Sequence, residues 1–184
     1  MSGTPKSQRS PTKFEAEHNL YALRDSITEL IILDFGYSTE KYKEKIEKYR
    51  ESHKTAANVD EVVARYMRKR DSFDRFFVDE MSRTVLDITR RISMEFTAAN
   101  SIYPSQTSAS KISEYCQRRK HLNEAIAQCF VLKQEINYAI RTLPVDINKY
   151  KRFDDAINKQ IALFKGIRKA DNRFLKDKPN KNKN

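Results

Sequence analysis

Residues 110–143 form the stretch SKISEYCQRRKHLNEAIAQCFVLKQEINYAIRTL, which lies between two prolines, Pro104 and Pro144. Apolar residues recur in it every three or four positions, which is typical of one face of an α-helix. Neither glycine nor proline interrupts the stretch, and Pro144 follows it directly. One long helix is therefore predicted, ending before Pro144. The residues expected to point inward from it are Ile112, Tyr115, Leu122, Ile126, Cys129, Phe130, Leu132, Ile136 and Ile140.

Similar amphipathic patterns flank this helix on both sides. The first runs from about residue 14 to residue 35, and Gly36 is expected to stop it. The second runs from about residue 58 to residue 102, with a break expected near residues 70–72, and the last runs from 146 to about 174. The whole chain of 184 residues has only three glycines and five prolines. Long helices with short connections predict an all-α protein, an antiparallel four-helix bundle.

The composition divides the chain into a bundle, an insertion and two tails. Residues 1–13 are rich in serine, threonine and proline and contain no acidic residue, so a disordered basic tail is predicted. The four-helix bundle is placed at residues 14–174. Within it, residues 37–57 are highly charged and carry few apolar residues, which predicts a charged helical insertion. Residues 175–184 are rich in lysine and asparagine and are predicted to form a second disordered tail.

The two cysteines, Cys116 and Cys129, give an indication of the compartment. On a single helix they would lie about 20 Å apart, which is far beyond the reach of a disulfide. They are interpreted as small core residues of a reduced protein. The N-terminal residues lack the apolar region of a signal peptide. The sequence contains no run of about 18 apolar residues, so no membrane span is predicted. A cytoplasmic protein is predicted.

No residue pattern in the sequence indicates catalysis. Of the Glu-x-x-His pairs that a di-iron bundle needs twice, only Glu15–His18 has the spacing. Cys116 and His121 lack the further ligands of a zinc site, and no glycine-rich phosphate loop is present. A non-enzymatic protein without a cofactor or metal is therefore predicted. A small enzyme whose site is not visible in the sequence stays an alternative.

The distribution of positive charge suggests a polyanionic partner. The net charge is +11, of which the residues from 144 onward contribute +7 and the first thirteen residues +3. Helically spaced Lys and Arg can neutralise several phosphates at once. Apolar spacing places most aromatic side chains in the core, so contact with the nucleic-acid backbone is expected rather than recognition of bases. The predicted nucleic-acid-binding residues are Arg118, Arg119, Lys120, Lys165, Arg168, Lys169, Arg173 and Lys176.

Two other interpretations of this charge stay open. The basic residues could dock an acidic protein surface, as in a structural or interaction protein, or they could form an ordinary solvated helix face. A separate expectation concerns self-association. Phe73, Phe76 and Phe77 lie three and four positions apart, so one of them is expected to point outward and to favour a contact between subunits.

The second half of the chain resembles a known family. The segments AANSIYP (98–104), RRKHLNEAIAQCFVLKQEINYAIRTLP (118–144) and INKYKRFDDAINKQIALFKGIRKADNRF (147–174) carry the resemblance. They are similar to small four-helix-bundle proteins, the accessory variability determinant (Avd) proteins of diversity-generating retroelements and the rRNA intervening-sequence proteins. The matching positions are Ala99, Asn100, Arg118, Arg119, Leu122, Ala125, Tyr150, Gly166, Arg168 and Lys169.

This resemblance covers about residues 73–174 and has definite implications. Ile167 stands where the family often has a tryptophan. Family membership implies a homopentameric barrel with a positively charged surface. It also implies a non-enzymatic accessory protein that binds RNA and works with a reverse transcriptase in a diversity-generating retroelement.

Overall fold

The computed structural model describes residues 11–55, 57–72, 77–104, 110–142 and 147–175. These residues contain helices and no strand, which confirms the predicted all-α class. The segment Leu30–Phe35 is a π-helix that joins the first two α-helices. The α-helices are α1 (Lys13–Glu29), α2 (Gly36–Ser52), α3 (Val59–Ser72), α4 (Asp79–Ser101), α5 (Lys111–Thr142) and α6 (Ile147–Leu175).

Helix α1 begins earlier than the sequence predicts. The hydroxyl of Thr12 accepts a hydrogen bond from the backbone N–H of Glu15 at 3.1 Å, which makes Thr12 the N-cap. Pro11 packs on α6 at Gly166, where a Cβ atom would lie 2.5 Å from the Cγ of Pro11. Residues 11–13 thus belong to the folded part rather than to the predicted tail, and residues 1–10 lie outside the described residues.

The predicted helix end at Gly36 is wrong. An αL C-cap needs a positive φ, and no glycine among the described residues has one. Instead Leu30 keeps the right-handed helical conformation, and its backbone N–H donates to the carbonyls of Ser26 and Ile27. The chain then passes through the π-helical segment directly into α2. A π-helical turn accommodates extra residues without ending the helix, so the helical path continues.

Helices α1, α4, α5 and α6 share one hydrophobic core. Phe96 of α4 and Phe164 of α6 meet in it with ring centroids 5.0 Å apart, and both rings are almost completely buried. On α5 most of the residues predicted to point inward do so. Ile112 and Phe130 do not, since 66% and 47% of their surfaces are exposed. The inward prediction was confirmed for Tyr115, Leu122, Ile126, Cys129, Leu132 and Ile136, and Ile140 packs against the core partly buried.

Helices α2 and α3 pack against each other around a small core of their own. Ile46 of α2 and Val59 and Val63 of α3 are buried there, with Tyr49 packed beside them. Tyr66 and Met67 of α3 are 37% and 40% exposed. The part of the chain outside the main core therefore includes α3 as well as the predicted insertion at 37–57.

The predicted break near residues 70–72 borders residues 73–76, which lie outside the described residues, so the break stays a prediction. Helix α3 ends at Ser72 and α4 begins at Asp79. Phe73 and Phe76 lie outside the described residues, so their expected role in a subunit contact stays a prediction. Phe77 is half-buried against the main core, and its ring meets that of Tyr138 edge to face at 5.8 Å. Phe77 therefore does not point outward.

The two cysteines are expected to differ sharply in reactivity. Cys129 is fully buried, as predicted, and burial raises the pKa of its thiol to about 12. Cys116 is exposed, because on α5 it lies on the solvent side of the buried Tyr115, and its predicted core position is wrong. The thiolate is the reactive species, so at pH 8 Cys129 stays protonated and inaccessible. A maleimide reagent should label Cys116 alone in the native protein and both thiols in urea, and rapid native labelling of Cys129 would contradict the packing of α5.

Candidate nucleic-acid interface

Arg118 occupies a buried position between three helices. Its side chain is 2% exposed, and its Nε donates to Oδ2 of Asp171 on α6 at 2.7 Å. Its Nη1 donates to the carbonyl of Ala99 at 2.8 Å and to that of Ile102 at 3.3 Å. Carbonyls at the C-terminal end of a helix lack intrahelical partners, and Arg118 satisfies two of them on α4. Arg118 therefore holds α4, α5 and α6 together and cannot serve as the phosphate ligand predicted for it.

The groups around Arg118 are desolvated as well. Burial and the nearby charge of Arg118 lower the pKa of Lys13, whose Nζ lies 4.6 Å from the ring centroid of Tyr103. Burial, followed by the charge of Asp171, raises the pKa of Tyr115. Both shifts are consistent with a closely packed polar cluster at this end of the core. Of its basic side chains, Arg118 is the one that bonds to the end of α4.

Five of the predicted binding residues lie on two adjacent helices, Arg119 and Lys120 on α5 and the other three on α6. Two of the hydrogen bonds that cross between these helices come from their arginines. Nη1 of Arg119 donates to Oδ1 of Asn172 at 3.1 Å, and Nη1 of Arg168 donates to Oδ1 of Asn123 at 2.7 Å. Lys165 and Lys169 are one helical turn apart on α6 and both are exposed. We call this surface the basic face, and it consists of Arg119, Lys120, Lys165, Arg168 and Lys169.

The positive charge of the basic face is not neutralised by neighbouring carboxylates. Within the described residues no ion pair includes any of its five side chains, and the nearby carboxylate of Asp171 is already paired with Arg118. Arg119 and Arg168 each use an N–H group on an asparagine oxygen, and a guanidinium has five such donors. The asparagines thus orient the two guanidinium groups while leaving further donors for phosphate oxygens.

Arg173 and Lys176 complete the set of predicted binding residues. Arg173 belongs to α6, but its side chain lies outside the described residues, as does the whole of Lys176. Arg173 follows Lys169 by four residues, which places it one turn further along α6. The predicted part of Arg173 and Lys176 in binding stays a prediction.

Phe130 was missed as a residue of this surface. The sequence pattern placed it in the core, yet it is 47% exposed, and Nζ of Lys165 lies 5.6 Å from its ring centroid. The sequence did contain a signal for this position. Cys129 and Leu132 are three positions apart and lie on the inward face, so a residue directly after Cys129 is turned by about 100° away from it.

Other kinds of site find little support in the described part of the chain. It contains no group of three or more His, Cys, Asp or Glu side chains placed to hold a metal ion. None of its helices combines the length and the apolar character needed to cross a membrane. No protein-family model, no curated protein and no solved structure matches this sequence.

Proposed function

We propose that this chain is a non-enzymatic accessory protein that binds RNA through the basic face. The observation that carries the proposal is that two adjacent helices carry five cationic side chains, none of which forms an ion pair within the described part of the chain. Such a surface can bind several phosphates of one strand and release their condensed counterions, which favours binding to polyanions. The rigid helices that present these side chains reduce the entropy lost on binding.

We further infer that α1, α4, α5 and α6 form an antiparallel four-helix bundle. Contacts between α5 and α6 join Arg119 to Asn172, Asn123 to Arg168 and Lys133 to Asn158, so residue numbers rise on one helix as they fall on the other. The same relation supports the inference for two other pairs of helices. Glu95 contacts His121 and Phe77 contacts Tyr138 between α4 and α5, and Pro11 lies at Gly166 while Asn19 contacts Gln160 between α1 and α6. The start of α1 meets the end of α4 where Lys13 lies over Tyr103, as an antiparallel pair requires.

The resemblance to the Avd proteins suggests the protein partner. On that basis we propose that the chain acts in the cytoplasm with a reverse transcriptase of a diversity-generating retroelement, as a homo-oligomer on the pentameric plan of the family. Arg119, Arg168 and Lys169 belong both to the positions that resemble the family and to the basic face. A reverse transcriptase gene beside the gene of this protein is the expected genomic context.

RNA binding can be tested by exchanging three exposed lysines of the basic face. The variant Lys120→Gln, Lys165→Gln, Lys169→Gln keeps the helix propensity and loses three charges, so the fold should survive. Its affinity for RNA should fall, and the slope of log K against log salt should shrink by about 0.7–0.9 for each phosphate that the variant no longer binds. Filter binding over a salt series measures both quantities.

The matched control removes three exposed lysines elsewhere. Lys45 and Lys48 lie on α2 and Lys54 is the second residue after that helix, which packs with α3 around a separate small core. The control Lys45→Gln, Lys48→Gln, Lys54→Gln has the same net charge as the variant and should bind RNA nearly as well as the native chain. Equal reductions in affinity in the two triple variants would mean that only the total charge matters. A native chain that binds no RNA but binds acidic proteins would favour the other interpretation of the charge.

A further inference from the structure

We propose that the basic face takes single-stranded nucleic acid and that the ring of Phe130 stacks on one of its bases. This inference rests on the proposed RNA binding and specifies the class of nucleic acid. It follows from the position of Phe130, which is half exposed on α5 beside Lys165 rather than buried in the core.

Two exposed alanines lie close in sequence to Phe130 and Lys165. Ala127 lies one turn before Phe130 on α5, and Ala162 lies one turn before Lys165 on α6. Phe130 is kept at the surface because the neighbouring Cys129 is fully buried and fixes which face of α5 points to the core.

Lys165 is placed to assist the stacking. Its Nζ lies 5.6 Å from the ring centroid of Phe130, close to the outer limit of about 6 Å for a cation–π contact. Such a loosely held ammonium group can turn from the ring to the phosphate that adjoins a stacked base. The cation and the aromatic ring would then bind two parts of the same nucleotide, which is the combination found in proteins that bind single strands.

The geometry favours a single strand over a duplex. Arg119 and Phe130 are eleven residues apart on α5, which corresponds to about 16 Å along the helix axis. One strand can therefore contact the arginines at one end and reach Phe130 at the other. In a duplex the bases are already stacked on one another, and the major groove of A-form RNA is too narrow for side chains to reach them. Phosphate contact alone does not require an exposed aromatic ring, whereas stacking does.

The experiment compares Phe130→Leu with a control, Tyr21→Leu, on three ligands. Tyr21 is a similarly exposed aromatic residue, at 54%, but it lies on α1 and its hydroxyl donates to the carboxylate of Glu17. The ligands are a single-stranded oligouridine, an abasic strand of equal length and an RNA duplex of equal charge. Phe130→Leu should weaken oligouridine binding by about tenfold, within the range of about five- to 150-fold expected when one base no longer stacks on an aromatic ring. Its affinity for the abasic strand and its salt slope should stay those of the native protein, and Tyr21→Leu should bind all three ligands as the native protein does.

A second variant protects the test against a folding defect. Phe130→Trp offers a larger ring and should bind oligouridine at least as tightly as the native protein. Stacking is refuted if Phe130→Leu binds oligouridine as well as the native protein does. RNA binding by the basic face still stands in that case, provided that the affinity of the native protein for RNA falls steeply with salt. Stacking is also refuted if Phe130→Leu weakens binding of the abasic strand by the same factor. If the native protein binds none of the three ligands, both proposals are overturned.

Discussion

Replacing Arg118 with Met is expected to lower the free energy of unfolding by about 3 kcal/mol or more, as is usual when one partner of a buried ion pair is removed. The side chain of Arg118 is 2% exposed, and its substitution leaves the Asp171 carboxylate, itself only 17% exposed, without its partner. It also leaves the carbonyls of Ala99 and Ile102 at the end of α4 without their donor. Urea unfolding followed by circular dichroism measures the decrease in stability.

Two companion variants separate the ion pair from a general effect of charge. Arg119→Met removes a neighbouring but exposed arginine and should change stability by less than about 0.5 kcal/mol. The double variant Arg118→Met, Asp171→Leu should be more stable than Arg118→Met alone, because no unpaired carboxylate remains. If Arg118→Met and Arg119→Met had equal effects, Arg118 would not be the residue that joins α4, α5 and α6.

The second large effect is expected at the aromatic pair in the centre of the core. Phe164 is 0% exposed and packs against Phe96. Phe164→Ala should lower the free energy of unfolding by about 3–5 kcal/mol, because removal of the ring loses buried apolar surface and creates a cavity. Phe130→Ala makes the same chemical change on a ring that is 47% exposed, and it should cost less than half as much. Urea unfolding of the two variants measures both decreases in stability. A larger decrease for Phe130→Ala would contradict the orientation of α5 in which Phe130 faces the solvent.

The long helices could be predicted from the sequence because periodicity and breakers agreed there. The prediction of residues 110–143 differs by one residue at each end from α5, Lys111–Thr142, since the apolar pattern and Pro144 define the same boundaries. The prediction at Gly36 was wrong because a glycine after an apolar run is typical of a helix end. Only the backbone geometry shows that the chain continues through a π-helical turn, and tertiary packing rather than local propensity decides such cases.

The basic face could be predicted one helix at a time but not as a surface. Helical spacing brings Lys165 and Lys169 together, whereas their proximity to Arg119 depends on how α5 and α6 are aligned. For Arg118, periodicity and charge give opposite indications. It stands three residues after Tyr115 and four before Leu122, so periodicity alone places it inward, and its charge argued for the surface. Its partner Asp171 lies 53 residues away in the sequence, and no local pattern could join the two.

RNA binding by the basic face can be located by lysine acetylation of the native protein with and without single-stranded RNA, followed by mass spectrometry. Bound RNA should shield the exposed lysines of the basic face, so acetylation of Lys120, Lys165 and Lys169 should fall markedly. Lys45 and Lys48 are exposed on α2 and should react at the same rate in both samples. Equal protection of the two sets, or protection of Lys45 and Lys48 alone, would contradict the assignment of RNA binding to the surface formed by α5 and α6.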